Sequence, residues 1–110
     1  MKRVYIAGAL TAKTDQYIQN LSRMINWDIK LRKFCCTFNP GLDVLVGLVA
    51  NNMSYNNYFD NNIEFLKVCD ALFLVPGWEK SKGTAREIKL AKSLNIPVYD
   101  DINRLKKFCK

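Results

Sequence analysis

Residues 71–88 read ALFLVPGWEKSKGTAREI, and the order of apolar, turn-forming and polar groups along that stretch decides the architecture. Ala71 to Val75 is a short apolar run of the kind a sheet buries on both faces. Pro76 and Gly77 end it, a loop carries Lys80, Ser81, Lys82 and Gly83, and a helix is expected from Thr84 to about Leu94. A buried strand that feeds a glycine-containing loop and then a helix N-terminus is where α/β proteins hold anions. Glu87 falls in the first turn of that expected helix, so a carboxylate stands beside a phosphate-compatible loop.

Working outward, Arg3 to Ala7 is a first strand, followed by Gly8-Ala9-Leu10-Thr11. Asp15 to Phe34 places Ile18, Leu21, Ile25 and Ile29 at helical spacing, with Asp15 as the cap. Cys35 to Phe38 is a second strand, closed by the turn signal Asn39-Pro40-Gly41. From Leu42 to Cys69 the pattern is helical but interrupted, with stripes at Leu42, Leu45 and Val49 and at Phe59, Ile63 and Leu66. Between the stripes, Asn51 to Asn62 holds six asparagines in twelve residues, a composition that predicts a break or loop. Asn95 closes the helix after Thr84, Pro97 to Tyr99 is a fourth strand, and Asp101 to Cys109 a terminal helix.

Strands alternating with helices over short links predict an α/β fold. The expected form is a Rossmann-like or flavodoxin-like three-layer sandwich on a four- to five-stranded parallel sheet. The 110 residues are expected to form a single domain, residues 1–110. A sheet order of 2-1-3-4 sets the loops Gly8–Thr11 and Pro76–Gly83 face to face at the topological switch point.

Composition narrows the chemistry. No apolar run approaches the length of a membrane span and no signal peptide precedes the first strand, so a cytoplasmic protein without membrane contact is expected. The four cysteines form no CxxC pair and the chain has no histidine. Reduced thiols, no metal and no redox cofactor are therefore expected, and Ser-His or Cys-His nucleophiles are excluded. The net charge of +7 is spread along helices without interleaved aromatics, which argues against nucleic acid as partner and leaves solvated helix faces or attraction of small anions.

Each candidate residue has two readings. Gly8 either brings backbone amides to a phosphate or only makes a tight turn. Ser81 and Gly83 offer a hydroxyl and main-chain donors, or form an exposed loop. Thr84-Ala85-Arg86-Glu87 fits a capping box that would turn the acid back on its own helix, whereas an ionised Glu87 at a pocket mouth is what a glycosidic nucleophile requires. Tyr5 lies mid-strand, as core or as catalyst, and Trp78 either stacks on a base or lids the core.

VYIAGALT (residues 4–11), CDALFLVPGWEKSKGTAREI (69–88) and NIPVY (95–99) together resemble the nucleoside 2-deoxyribosyltransferase superfamily, in its small nucleotide N-hydrolase-like branch. The resemblance implies that Glu87 attacks C1′ of a nucleoside or nucleotide while Tyr5 positions the sugar and the nucleophile. It also implies that Gly8, Ala9, Leu10 and Thr11, with Ser81 and Gly83, hold a 5′-phosphate. It implies a small-molecule nucleotide or nucleoside as partner, a homo-oligomer, and N-glycosidic cleavage or base transfer without a cofactor. An aspartate that assists the leaving base in the relatives falls here on Asn62, with Asp60 nearby but on a different face of a helix. That departure supports an alternative, a catalytically impaired nucleotide-binding module of the same fold.

Overall fold

In the computed structural model, residues 11–13, 44, 45, 47, 48, 51 and 52 lie outside the described structure, as do the side chains of residues 14–17. The described elements are β1 (Arg3–Ala7), α1 (Thr14–Leu31), β2 (Cys36–Phe38), a 3-10 turn at Pro40–Leu42, and α2 (Tyr55–Leu66). They continue with β3 (Ala71–Leu74), a 3-10 turn at Trp78–Lys80, α3 (Lys82–Ser93), β4 (Val98–Tyr99) and α4 (Ile102–Cys109). The sheet has four strands, all parallel, in the order β2-β1-β3-β4. The α/β class, the parallel sheet and its order are as expected.

Alternation along the two central strands divides the core. Val4 and Ile6 of β1, with Ala71 and Phe73 of β3, pack with Met24 and Leu31 of α1, Cys35, Val75 and Leu105 of α4. Tyr5 and Ala7, with Leu72 and Leu74, turn to the other face and meet Leu66 of α2, Cys69, Ala91 of α3 and Ile96. Period-two alternation therefore puts Tyr5 on the α2–α3 side of the sheet, which fixes where its hydroxyl can reach. Asn95 adopts φ 59° and ends α3 as expected, a left-handed position that asparagine tolerates.

Four expectations need correction here. In α1 the buried side chains are Met24, Asp28 and Leu31, whereas Ile18, Ile25 and Ile29 face outward. The helix is rotated because Asp28 ties it to the end of β2. Its carboxylate accepts from Arg32 Nε at 2.8 Å, Thr37 Oγ1 at 2.6 Å and Asn39 Nδ2 at 3.1 Å. Burial pushes the Asp28 carboxyl up, but those three donors outweigh it and hold the group below the ordinary carboxylate range. Because α1 begins at Thr14, Asp15 lies inside the helix instead of capping it.

The asparagine-rich stretch does not break over its described second half. Tyr55–Leu66 is one helix, started by Ser54, which forms a reciprocal capping box with Asn57. A satisfied N-terminus and an inward stripe of Phe59, Ile63 and Leu66 override the low propensity of asparagine. Asn51 and Asn52 lie outside the described residues. The stripe expected before it fails at its described members, because Leu42 and Val49 are exposed; Leu45 is outside the described residues.

Candidate active site

Two features stand out: a buried acid pair on the α2–α3 side of the sheet and a basic cavity lined by residues that follow β1 and β3. The acid pair is Glu87 with Tyr5. Helix α3 starts at Lys82, two residues earlier than expected, with Ser81 as its N-cap: Ser81 Oγ accepts the Thr84 amide at 3.1 Å. Thr84 is thus inside the helix and cannot cap it, so no capping box holds Glu87 back. Glu87 lies in the second turn, not the first, with its side chain directed at the sheet. There it accepts a hydrogen bond from the Tyr5 hydroxyl, and both residues are buried.

Burial pushes the Glu87 carboxyl up; the Tyr5 hydroxyl pulls it down, nearby Asp43 pushes it further up, and the group titrates at about 7. Tyr5 is raised well beyond the ordinary phenol range by burial first and then by the Glu87 charge. The Tyr5 hydroxyl accordingly stays protonated and donates, while Glu87 is poised between acid and carboxylate at neutral pH. A buried carboxyl that titrates near neutrality and is aligned by a fixed donor is suited to proton transfer or to nucleophilic attack.

The basic cavity, about 960 Å³, has neither Tyr5 nor Glu87 among its lining residues and is linked to the pair through α3, where cavity-lining Arg86 directly precedes Glu87. Ala9, Pro76, Gly77, Lys80, Ser81, Lys82 and Gly83 line one side; Asn20 and Arg23 of α1, Tyr55 of α2 and Arg86 of α3 line the other. Four cations and no carboxylate are among the described lining residues, so the cavity favours an anion. The amides of Lys82 and Gly83 precede the first intrahelical bond, which runs from Ala85 to Ser81, and they add the donor end of the α3 dipole. The Ser81 oxygen is occupied as the cap, but its hydroxyl proton remains available to a ligand.

Local packing shapes this loop. Gly77 adopts φ +94°, the left-handed region that glycine enters without strain, and turns the chain under Arg23. Arg86 is held over the rings of Phe59, at 3.8 Å, and Tyr55, at 5.8 Å. These contacts dock α2 on α3 and fix one cation in the cavity wall.

The expected site residues distribute unevenly over this geometry. Tyr5 and Glu87 meet, and Ala9, Ser81 and Gly83 line the cavity. Gly8 is buried where a Cβ would fall 2.7 Å from Met24 Sδ and 3.1 Å from Val75 Cβ, so close packing by itself requires it. Leu10 packs against the α1-side core, and Thr11 is outside the described residues. Trp78 is half-buried against the Tyr5-side cluster, as a lid on the core, and does not line the cavity.

Asn62 is buried and donates Nδ2 to Asp43 Oδ2 at 2.7 Å, whereas Asp60 is exposed and does not join the pair. Asp43, Arg23, Arg86 and Tyr55 were not singled out from the sequence. Arg86 could have been: it adjoins Glu87, and one residue along a helix turns a side chain by about 100°, toward the loop. Arg23 and Asp43 carry no local signal.

The sequence profile of a family described as a domain of unknown function (DUF4406) matches residues 2–100. The chain belongs to this family. No curated relative matches the sequence. Among solved structures, this DUF4406 chain is similar to a 2-deoxyribosyltransferase from the psychrotolerant bacterium Bacillus psychrosaccharolyticus, with a TM-score of 0.68 and 18% identity. The match covers 94% of this chain and 90% of that one. At that identity the two share a fold.

Proposed function

We propose that this protein is an N-glycosidase of the small nucleotide N-hydrolase-like branch, acting on (deoxy)nucleoside 5′-monophosphates. The observation that carries the reading is that α3 bears both the buried Glu87 of the Tyr5–Glu87 pair and, at Lys82, Gly83 and Arg86, one wall of a cavity ringed by cations and helix amides. The cavity's chemistry suits a 5′-phosphate, while the pair meets the needs of a sugar carbon. The fold it shares with an enzyme characterised for nucleoside synthesis supports the same direction.

In the proposed reaction the phosphate is held by Ser81, the amides of Lys82 and Gly83, and the cations around them. Glu87, aligned by the Tyr5 hydroxyl, attacks C1′ as a carboxylate and the C1′–N bond breaks with departure of the base. Water then cleaves the glycosyl ester and restores Glu87, the two-step logic of retaining glycosidases. A second base in place of water would make the reaction a transfer. The basic cavity favours monophosphates, and with them hydrolysis. The exposed Ile18, Ile25 and Ile29 of α1 support a homo-oligomer, and the four free thiols suit a reducing, cytoplasmic setting. Among the described residues no helix is long and apolar enough to cross a membrane.

The test is incubation with a panel of deoxynucleoside monophosphates and detection of free base by chromatography. Base release that disappears in Glu87→Gln supports the reading. Tight nucleotide binding without base release, unaltered in Glu87→Gln, rejects it in favour of a binding module.

A further inference from the structure

The proposed reaction places one phosphate at Ser81, yet the cavity gathers its donors at two loci built from different elements. The first surrounds the start of α3. A Cβ at Gly83 would fall 2.8 Å from the Tyr55 hydroxyl and 3.9 Å from Ser81 Oγ, so both hydroxyls stand close to the amides that open the helix. Arg86 completes this locus, its guanidinium held over the rings of Phe59 and Tyr55. The second locus lies where the chain leaves β3. There Arg23 of α1 stands over Gly77, with Nη1 3.4 Å from the place of a Cβ. The same nitrogen donates to Asn20 Oδ1 at 3.1 Å, one turn back along α1.

Neither guanidinium has a carboxylate partner among the described residues, where the ion pairs are Asp28–Arg32 and Glu64–Lys67. Lys80 and Lys82 bring two more charges to the same space from the loop. Four like charges repel one another, and a single phosphate monoester supplies only about −1.5 to −2. One phosphate therefore leaves roughly half of the positive charge unmatched. Both guanidiniums are oriented in advance, Arg86 by its rings and Arg23 by Asn20, and both keep N–H donors for a forked phosphate contact. The volume, about 960 Å³, has room for more than a monophosphate, since small-molecule sites span roughly 300–1,000 Å³.

We propose that the cavity binds a ligand with two phosphate groups, one at Ser81, Gly83 and Arg86 and the other at Arg23 and Asn20. The inference deepens the nucleotide reading of the cavity and rests on it for the first group. Two forms of ligand share this chemistry. The phosphates are adjacent, as in a nucleoside 5′-diphosphate, or lie on either side of the sugar, as in a nucleoside 3′,5′-bisphosphate.

Calorimetric titration at fixed ionic strength separates these forms. Inorganic pyrophosphate is compared with inorganic phosphate on the native protein. Adenosine 3′,5′-bisphosphate is compared with adenosine 5′-monophosphate on Glu87→Gln, so that no base is released. In at least one pair the compound with two phosphates should bind roughly tenfold or more tightly than its counterpart. A gain in the first pair identifies adjacent phosphates, and a gain in the second alone identifies separated ones. Arg23→Ala, at an exposed position of α1, should remove most of that gain. Lys106→Ala deletes the same charge from α4, where it lies over Phe34, and should leave the gain intact. Smaller gains in both pairs overturn the proposal and leave a monophosphate site standing. Equal effects of Arg23→Ala and Lys106→Ala also overturn it, because the gain then reports overall charge. Absence of binding by all four compounds overturns the nucleotide reading of the cavity, and this proposal with it.

Discussion

Glu87 combines a stability cost with the proposed function in a single titration. Its carboxyl moves from 4.5 to about 7 on folding, so between those values the folded state binds more protons than the unfolded chain. Stability therefore falls as pH rises through that window, by roughly 3 kcal/mol once both states are ionised. Thermal melts of the native protein should drop by several degrees from pH 5 to pH 8, and those of Glu87→Gln should stay nearly level; parallel curves would contradict the assignment. The nucleophile must be ionised, so kcat/KM should rise with an apparent pKa of about 7 and fall roughly 10³-fold or more in Glu87→Gln. Tyr5→Phe removes the donor that lowers Glu87, so this limb should shift to higher pH. The substrate phosphate, which titrates near 6, keeps its own limb. Glu87 was legible because it follows the loop before α3, whereas Tyr5, mid-strand, was singled out only through the family resemblance. The false capping box arose from a real threonine-to-glutamate spacing whose helix begins earlier, at Ser81. Asp43 was illegible because its neighbours Asn62 and Glu87 reach it only through the fold.

At the level of elements, the strands read well and the helices less so. β1 and β3 are short apolar runs between turn signals, and their alternation across two faces follows from geometry alone. Helical periodicity, by contrast, fixes a spacing without naming the buried face, which in α1 is set by Asp28 and its donors, Arg32 one turn on and Thr37 and Asn39 beyond the helix. The asparagine-rich helix shows the complementary failure, since local propensity lost to a capping box and a packed stripe. The loops at the site can be tested as elements. Gly8→Ala puts a methyl 3.1 Å from Val75 Cβ, an atom fixed close to the backbone, and 2.7 Å from the more yielding Met24 sulfur. Urea unfolding should register a loss of about 1–3 kcal/mol; an unchanged midpoint would show that the β1–α1 turn has slack. Ser81→Ala should cost about 1 kcal/mol as a lost cap. It should also raise KM for a nucleoside monophosphate while leaving the KM for the matching nucleoside almost unaltered. Equal changes for both substrates would confine Ser81 to capping.

Over the whole molecule, the +7 charge has a focus in the cavity, where Arg23 of α1 joins Lys80, Lys82 and Arg86 around one space. The other basic residues remain dispersed on helix faces, which is why sequence composition alone could not separate a solvated surface from an anion site. The opposite problem arises with apolar groups: Ile18, Ile25 and Ile29 share a spacing that suggests core, yet they are 65%, 37% and 56% exposed. Three isoleucines along one face of the longest described helix form an apolar strip broken by Ser22, and exposed apolar surface of that kind favours self-association. Burying what each isoleucine still exposes against a second copy contributes about one third to two thirds of the roughly 1.5–3 kcal/mol of a whole side chain, and a glutamate in its place would have to be desolvated without a partner. Sedimentation of the native chain should accordingly give at least twice the 12.7 kDa monomer mass. The double substitution Ile25→Glu/Ile29→Glu should sediment as monomer with an unchanged circular dichroism spectrum, because neither side chain belongs to the buried core. If the double variant keeps the native mass, assembly uses another surface; if the native chain is itself monomeric, the proposed homo-oligomer is wrong. A monomer that still releases base would show that the Tyr5–Glu87 pair and its cavity are complete within one chain.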